Sequence, residues 1–379
     1  MSRPTLGFFN LFILWFGAAV SVAEILTGGL LASLGLERGL WAIVLGHALG
    51  TSLLVAAGYL GFREREPSIR SMRLSFGRQG SYLISAANVL QLVGWTAVMV
   101  LEGGIAVNEL TRAIWGVESL FWAKALLGGL VALWVCFGVR GFKRLNVVAV
   151  SLLFALTVVL TWVLLARPLP EAAAGSAGGM GFGLGLELSV IMPLSWFPLI
   201  ADYTSMARTR TASWLAPFLG YFLGSCWMYG IGLFGALHSG SADPSQMMLA
   251  AHLGLVALGV IGLSTVTTTF LDVWSASESS RNVFPGLGRR TGAVAFAAIG
   301  TALAMAVDME RYVDFLLILG SVFAPIVAIL LLDGFVFGAD NRARARDWRA
   351  LVSLAAGFGF YHWAAGLELP VGTTLATLA

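Results

Sequence analysis

The chain alternates between long apolar runs and short polar loops. Eleven runs are long enough to cross roughly 30 Å of hydrocarbon as helices. They occupy residues 7–34, 40–62, 80–108, 120–139, 146–166, 186–206, 212–237, 248–276, 292–307, 312–332 and 348–366. The remaining tail is weakly apolar and too short for a twelfth span. This pattern predicts an all-α polytopic membrane protein.

Span 6 contains a predicted interruption. Pro193 and Pro198 flank Ser195 and Trp196 there, and each proline removes a backbone donor and clashes with the carbonyl four residues earlier. Backbone groups freed in this way are tolerated in a membrane only where they face protein or a water-filled cavity. A polar and aromatic pair at such a break is typical of the substrate sites of secondary transporters.

Ten of the spans divide into two groups of five. Because five is odd, the two groups have opposite orientations, which is the inverted-repeat arrangement of many transporters. The predicted units are a first repeat over 1–166, a second repeat over 186–333 and one or two C-terminal helices within 345–379. By analogy with span 6, span 1 is predicted to be interrupted within 17–29, where small residues surround Glu24.

Composition and charge support the membrane assignment. Of 379 residues, 58% are hydrophobic and only 11% are charged, whereas a soluble domain carries about 25% charged residues. Alternate loops collect 18 of the 23 lysines and arginines, which predicts a cytoplasmic N-terminus because basic residues near span ends are retained in the cytoplasm. The net charge of +3 follows from these loops, so no nucleic-acid partner is expected.

Polar residues at membrane depth identify a candidate substrate site. Gln91 and Trp95 lie one turn apart on one face of span 3. The indole can stack on a flat heterocycle while the neighbouring amide hydrogen-bonds its ring atoms. Ser195 and Trp196 are expected to face this pair from span 6. The alternative is that Gln91 and Trp95 only pack or bond against neighbouring helices.

Two carboxylates, Glu24 and Asp272, lie in apolar spans without a lysine or arginine at comparable depth. A charge at the bilayer centre costs about 3 kcal/mol or more, so both residues are functional candidates. Asp272 is expected to accept hydrogen bonds from an exocyclic amine, to carry a coupling proton or to complete a cation site. His47, in contrast, is expected to be a buried, hydrogen-bonded packing residue and not a ligand.

Hydroxyl groups recur along span 8. Ser264, Thr268 and Asp272 are spaced by four residues, and Thr267 is adjacent to this row. Such hydroxyls often only bond back to their own helix. Alternatively, together with carbonyls freed at a break in span 1, they supply the oxygen ligands that Na⁺ prefers.

Five short motifs, in order along spans 1 to 10, resemble the nucleobase–cation symporter-1 family. They are Trp15–Ser21, Ser75–Arg78, Gln91 with Gly94-Trp95, Ser195-Trp196 with Asp202-Tyr203, and Phe323–Ile326 with Asp333–Phe335. The length and the Thr-Thr-Thr-Phe-Leu-Asp run are most similar to the bacterial branch assigned to hydroxymethylpyrimidine, a thiamine precursor, with cytosine permeases as near relatives.

The resemblance implies a leucine-transporter-like fold of five-plus-five inverted repeats, with discontinuous helices 1 and 6 and one or two C-terminal helices. It implies that Trp95 and Trp196 sandwich a heterocycle near Gln91. It also implies a sodium site formed by carbonyls around Gly17 and Val20 with the hydroxyls of Thr267 and Thr268. No cofactor is implied beyond a coupling Na⁺ or H⁺. Some family members carry an amide where this chain has Asp272.

These observations predict a secondary transporter in a bacterial inner membrane that imports a small planar pyrimidine with a cation gradient. The alternative on the same fold is a carrier of another solute, such as an amino acid or a purine. A membrane enzyme would need a clustered nucleophile and base or a His-rich metal site, and four scattered histidines do not provide one. The sequence does not indicate the oligomeric state.

Overall fold

The computed structural model describes residues 5–168, 179–367 and 369–379, without the side chains of residues 138–146. Within this part of the chain the secondary structure is helical. The helices are α1 Phe8–Ala19, α2 Val22–Leu30, α3 Leu36–Glu64, α4 Ser68–Ser71, α5 Arg73–Trp115, α6 Leu120–Leu165, α7 Phe182–Leu194, α8 Phe197–Thr204, α9 Arg210–Ser239, α10 Pro244–Ala250, α11 Gly254–Ser280, α12 Arg289–Ala306, α13 Tyr312–Leu331, α14 Trp348–Ala365 and α15 Thr373–Leu378.

Helices occupy all eleven predicted spans, and α6 carries the fourth and fifth in its described segments 120–137 and 147–165. Eight helical segments, or nine when α1 and α2 count as one broken span, are long and apolar enough to cross a membrane among the residues described. Helices α12 and α14, with 18 residues each, are not among these nine. Four basic residues of the orientation argument lie outside the described residues or side chains: Arg3, Arg140, Lys143 and Arg144.

The predicted interruption of span 1 is confirmed. Helix α1 ends at Ala19 and α2 begins at Val22, and the two are bent by 57°. Ser21 between them is extended (φ −140°, ψ 156°), and its hydroxyl accepts a hydrogen bond from the Glu24 backbone N–H at 3.4 Å. The hydroxyl caps the first turn of α2, so this span breaks without a proline.

The interruption of span 6 is also present, but its backbone remains closer to a helix. Ser195 and Trp196 separate α7 from α8 and keep right-handed helical dihedral angles. The Trp196 N–H donates to the Pro193 carbonyl at 3.1 Å, which is a tightened turn with three-residue spacing. Pro198 lies in the first turn of α8, where its missing donor would have had no helical partner.

The spanning helices pack in two groups. One group contains α1, α2, α3, α7, α8 and α9, and the other contains α5, α6, α11 and α12. Each group draws helices from both halves of the chain, as expected if the halves are related by an inverted repeat. The first group carries both breaks and the second carries the polar rows of α5 and α11, so a site between them has broken helices on one side and continuous helices on the other. The unit boundaries at 1–166, 186–333 and 345–379 stay predictions.

The C-terminal segment packs against the second half of the chain. Helices α14 and α15 lie on α13, and α15 has only six residues. The Glu187 carboxylate on α7 accepts hydrogen bonds from the Tyr361 hydroxyl at 2.5 Å, the Thr374 hydroxyl at 2.6 Å and the Thr374 N–H at 2.7 Å. The one or two predicted C-terminal helices are thus α14 and the short α15.

Helices α2 and α9 make backbone-to-backbone contact through two glycines. A Cβ added at Gly28 would lie 2.2 Å from the Tyr229 carbonyl oxygen, and one added at Gly232 would lie 2.0 Å from the Ile25 carbonyl oxygen. Both distances are far inside van der Waals contact. The approach of α2 to α9 therefore requires glycine at these two positions, as small residues allow in membrane helix packing.

We expect Gly232→Ala to lower the free energy of unfolding by about 1–3 kcal/mol, because the new methyl group must push α2 away from α9. Thermal unfolding of the detergent-solubilised protein measures the change. Gly230→Ala on the same helix is the matched control, since a Cβ there meets no atom within 4 Å. Equal melting temperatures for the two variants would show that α2 and α9 are not in close contact.

Candidate functional site

One cavity lies where the two broken spans meet α5 and α11. The six residues predicted to bind substrate all line it: Glu24, Gln91, Trp95, Ser195, Trp196 and Asp272. Apolar side chains, including Met99 and Met192, complete the wall. A concave, mostly apolar site with a few convergent polar groups is the usual form of a small-molecule site. Their roles in binding remain predictions.

Each of the two indoles is supported by other aromatic rings. The Trp95 ring packs edge-to-face on Phe315 at 5.3 Å between ring centroids. The Trp196 ring packs in the same way on Trp15 at 5.8 Å and on Tyr221 at 6.5 Å. Edge-to-face contacts of this kind fix the ring orientation. Both indoles therefore offer pre-positioned surfaces to the cavity.

The Gln91 side chain is oriented by its own hydrogen bonds. Its amide nitrogen donates to the Ser195 carbonyl oxygen at 2.9 Å and to the Asn88 Oδ1 at 2.8 Å. Asn88 in turn donates to the Ser279 hydroxyl at 2.7 Å. An amide has two N–H donors, so both donors of Gln91 are engaged. Its Oε1 is buried without a partner among the described residues, which leaves an acceptor for a ligand.

Asp272 supplies a second acceptor to the same cavity. It lies one turn after Thr268 on α11, and both side chains line the wall. Among the described residues, none donates a hydrogen bond to the Asp272 carboxylate. Buried carboxylates are normally hydrogen-bonded or paired. The lack of a protein donor fits an acceptor that is kept for a ligand or an ion.

Glu24 is engaged by the protein on both of its carboxylate oxygens. Oε1 lies 2.8 Å from the Tyr221 hydroxyl, and Oε2 lies 2.5 Å from the Ser225 hydroxyl. The same Ser225 oxygen lies 2.6 Å from the His47 Nε2. His47 is buried and hydrogen-bonded, as the sequence predicts. Through Ser225 it also connects to Glu24 in the cavity wall.

The predicted sodium ligands are only partly brought together. Thr268 lines the cavity with Ser21 of the span 1 break, whereas Gly17, Val20 and Thr267 are not part of its wall. The Gly17 carbonyl accepts the Val20 N–H at 3.2 Å. The Thr267 hydroxyl donates to the Ser264 carbonyl at 2.9 Å, so its oxygen lone pairs stay available. Within the described residues, no group of three or more His, Cys, Asp or Glu side chains forms a metal site.

The sequence analysis did not identify several residues of the site. Asn88 precedes Gln91 by three residues, a spacing that places both on one helix face, so its orienting role had a detectable signal. Tyr221 and Ser225 are spaced by four residues on α9, but no local pattern indicates that this face meets Glu24. Phe315, which supports Trp95, lies in span 10, where the sequence analysis identified no site residue.

Comparison with known proteins shows to which family the chain belongs. Residues 2–367 match the model of the permeases for cytosine/purines, uracil, thiamine and allantoin. The chain belongs to this permease family. The cytosine permease of Escherichia coli (strain K12) is 27% identical over 372 residues, which cover 93% of this chain and 85% of that protein. The resemblance to nucleobase–cation symporters, with similarity to cytosine permeases, is confirmed.

Solved structures agree on the fold. Mhp1, a nucleobase-cation-symport-1 family transporter, superposes with a TM-score of 0.81 in a closed conformation with bromovinylhydantoin bound, at 20% identity and covering 99% of this chain and 91% of that one. Its inward-facing conformation gives a TM-score of 0.86 at 19% identity, covering 99% and 89%. The chain therefore has the expected leucine-transporter-like fold with broken helices 1 and 6. Like its permease relatives, it is a multi-pass membrane transporter and not an enzyme.

The position of the cavity predicts which residues of α11 a water-soluble thiol reagent can reach. In a background without Cys136 and Cys226, Thr268→Cys is expected to react because residue 268 lines the cavity. Thr267→Cys is the matched control, since the Thr267 side chain is fully buried and is not part of the cavity wall. Mass spectrometry after labelling measures both. Faster labelling at 267 than at 268 would contradict the orientation of α11.

Proposed function

We propose that this permease is a secondary active transporter that imports a small planar pyrimidine, either hydroxymethylpyrimidine or a cytosine-like ring. The energy comes from a Na⁺ or H⁺ gradient across a bacterial inner membrane, with the N-terminus in the cytoplasm. The observation that carries the substrate class is a cavity with two supported indoles and two unpartnered acceptors, Gln91 Oε1 and Asp272.

The two acceptors favour a ligand that offers N–H donors. The Gln91 orientation is fixed by Ser195 and Asn88, so rotating the amide to present a donor would break two hydrogen bonds. A pyrimidine with an exocyclic amine satisfies the Asp272 carboxylate, whereas a diketo ring presents a carbonyl to it. Leaving a buried polar group unpaired costs about 1–3 kcal/mol. The site is therefore suited to aminopyrimidines over uracil-like rings.

In the proposed transport cycle, the interrupted helices of spans 1 and 6 move. Carbonyls near Gly17 and Val20, with Thr267 and Thr268, are proposed to bind Na⁺ and so join span 1 to span 8. This contact would organise α1 and α2 around the stacked ring. Occupancy of both sites would then lower the barrier to rocking the group of broken helices against α5 and α11, as in other transporters with inverted repeats.

The substrate class is tested by competition in proteoliposomes. Unlabelled cytosine and hydroxymethylpyrimidine are expected to displace labelled cytosine at about 10- to 100-fold lower concentration than uracil does, because a hydrogen bond to a charged group contributes about 1.5–3 kcal/mol. Asp272→Asn should bring the ratio towards one, since an amide can also donate to a carbonyl. If uracil competes as well as cytosine with the unmodified protein, the proposed role of Asp272 is wrong.

The stacking surface is tested by Trp95→Ala. We expect the affinity for labelled cytosine to fall by about tenfold or more, because an aromatic pair and its buried area are lost. Trp122→Ala is the matched control, since the Trp122 side chain is 70% exposed on the outer surface of α6. A carrier of a non-aromatic solute such as an amino acid would not need this ring. Unchanged uptake in Trp95→Ala would favour that alternative.

A further inference from the structure

We propose that Glu24, Ser225 and His47 form a proton-binding site in the wall of the cavity, and that its proton crosses the membrane with the substrate. The proposal rests on the proposed transport function and adds a specific site to it. The three residues come from α2, α9 and α3, so the site joins the second half of the broken span 1 to two continuous helices.

The hydrogen bonds of His47 show which of its two ring nitrogens carries a hydrogen. The His47 Nδ1 lies 2.8 Å from the Ile43 carbonyl oxygen. A carbonyl can only accept, so Nδ1 must carry a hydrogen. In a neutral imidazole the other nitrogen, Nε2, is then an acceptor. It faces the Ser225 hydroxyl oxygen at 2.6 Å.

Glu24, on the other side of Ser225, is also an acceptor when its carboxylate is ionised. The Glu24 Oε2 lies 2.5 Å from the same Ser225 oxygen. A hydroxyl has one hydrogen, so Ser225 cannot donate to both Glu24 and a neutral His47. With Glu24 ionised, one of these two short contacts would hold two acceptors and no proton. The arrangement is complete only with at least one further proton.

One added proton satisfies every contact. In the neutral arrangement it resides on Glu24 Oε2, which donates to Ser225, and Ser225 donates to His47 Nε2. Shifting both hydrogens along the chain gives a charged pair, His47 imidazolium and Glu24 carboxylate. Separating charge in a buried site is costly, so the neutral arrangement with the proton on Glu24 is favoured. Glu24 lines the cavity, so this proton would enter and leave from the cavity side.

In the part of the chain that the structure describes, the surroundings of Glu24 supply no compensating cation. The titratable groups that face Glu24, Ser225 and His47 are Tyr221, Cys226 and Tyr229 from α9 and Tyr312 from α13. The Tyr312 hydroxyl lies 2.7 Å from the Thr27 hydroxyl of α2. Asp272 faces the same cavity from α11. Among the described residues, no lysine or arginine forms an ion pair with Glu24. A negative charge on Glu24 would therefore rest on hydroxyl donors alone.

A second buried carboxylate, Glu187, has enough donors of its own. It accepts from the Tyr361 hydroxyl, the Thr374 hydroxyl and the Thr374 N–H, and each of these three groups has a hydrogen to donate. An ionised Glu187 is complete without an added proton. The need for a proton thus comes from the Ser225 hydroxyl shared with His47, and not from burial of a glutamate as such.

The position of Glu24 links its protonation to the transport cycle. Glu24 lies in the first turn of α2, directly after the break, and lines the cavity. Loss of its proton leaves Glu24, Ser225 and His47 with one hydrogen too few and loosens the attachment of α2 to α3 and α9. The proton therefore favours the arrangement in which α2 is packed, and its release favours movement of the broken span.

The site is first tested without any substrate. Infrared spectra of the purified full-length protein are recorded as the pH is raised, to follow the carbonyl stretch of neutral carboxylic acids. The unmodified protein is expected to lose one such band that is absent from Glu24→Gln at every pH. Size-exclusion chromatography checks that the variant is folded. Identical acid bands in the two proteins would show that Glu24 carries no proton and would overturn the proposal.

The link to transport is tested with Ser225→Ala, since Ser225 is outside the cavity wall. Proteoliposomes contain equal Na⁺ on both sides, an acidic exterior and labelled cytosine outside. The unmodified protein is expected to accumulate cytosine. In Ser225→Ala the hydroxyl that joins Glu24 to His47 is lost, so the three residues no longer bind the proton together, and accumulation should fall by about tenfold or more while exchange of labelled for unlabelled cytosine continues.

Ser213→Ala is the matched control on the same helix, because the buried Ser213 hydroxyl donates only to the Arg210 carbonyl at 2.6 Å. It should accumulate cytosine as the unmodified protein does. Accumulation by Ser225→Ala equal to that of Ser213→Ala would overturn the proposal. If the unmodified protein neither exchanges nor accumulates any pyrimidine, the proposed function fails, and the infrared band still decides whether the proton site exists.

Discussion

The arrangement of the site depends on how backbone polar groups are satisfied inside the membrane. Hydrocarbon offers no hydrogen bonds, so a span can be interrupted only where side chains or a cavity replace the lost helical partners. The Ser21 hydroxyl does this for α2, and Gln91 does it for span 6 by donating to the Ser195 carbonyl. Both replacements lie at the cavity, and they place functional side chains there as a direct consequence.

The Ser195 contact also determines what the cavity offers to a ligand. Because one Gln91 donor is used on the broken backbone and the other on Asn88, only the Gln91 acceptor remains. The break and the ligand preference are therefore connected: a change in the span 6 backbone that removed the Ser195 carbonyl from reach would free a donor and alter the set of rings that fit. If the proposed binding mode holds, specificity is set partly by the backbone.

The fold was largely predictable because membrane spans have a strong signal. Length and apolarity located all eleven helices, and the odd number of spans per half indicated the inverted arrangement. The sequence did not indicate which of the two interruptions departs further from helical geometry. Prolines mark span 6 clearly, yet its turn stays near-helical, whereas Ser21 allows a 57° bend in span 1. A proline in the first turn is compatible with helical geometry, whereas a serine N-cap replaces a helical backbone hydrogen bond.

The site was predictable where residues share one helix face, and not where the partners come from another helix. Gln91 with Trp95 and Thr268 with Asp272 follow from spacing alone. The environment of Glu24 depends on α3 and α9, whose approach is set by Gly28 and Gly232 and by the bend after Val20.

Nothing in the local sequence around His47 or Ser225 indicates that the bend will place a carboxylate between them and the cavity. Two buried glutamates, Glu24 and Glu187, thus acquire different hydrogen-bond states from the donors that the tertiary packing supplies. A buried carboxylate in a membrane helix is a reason to look for a function, and the number of hydrogens around it then distinguishes a structural anchor from a site that must bind a proton.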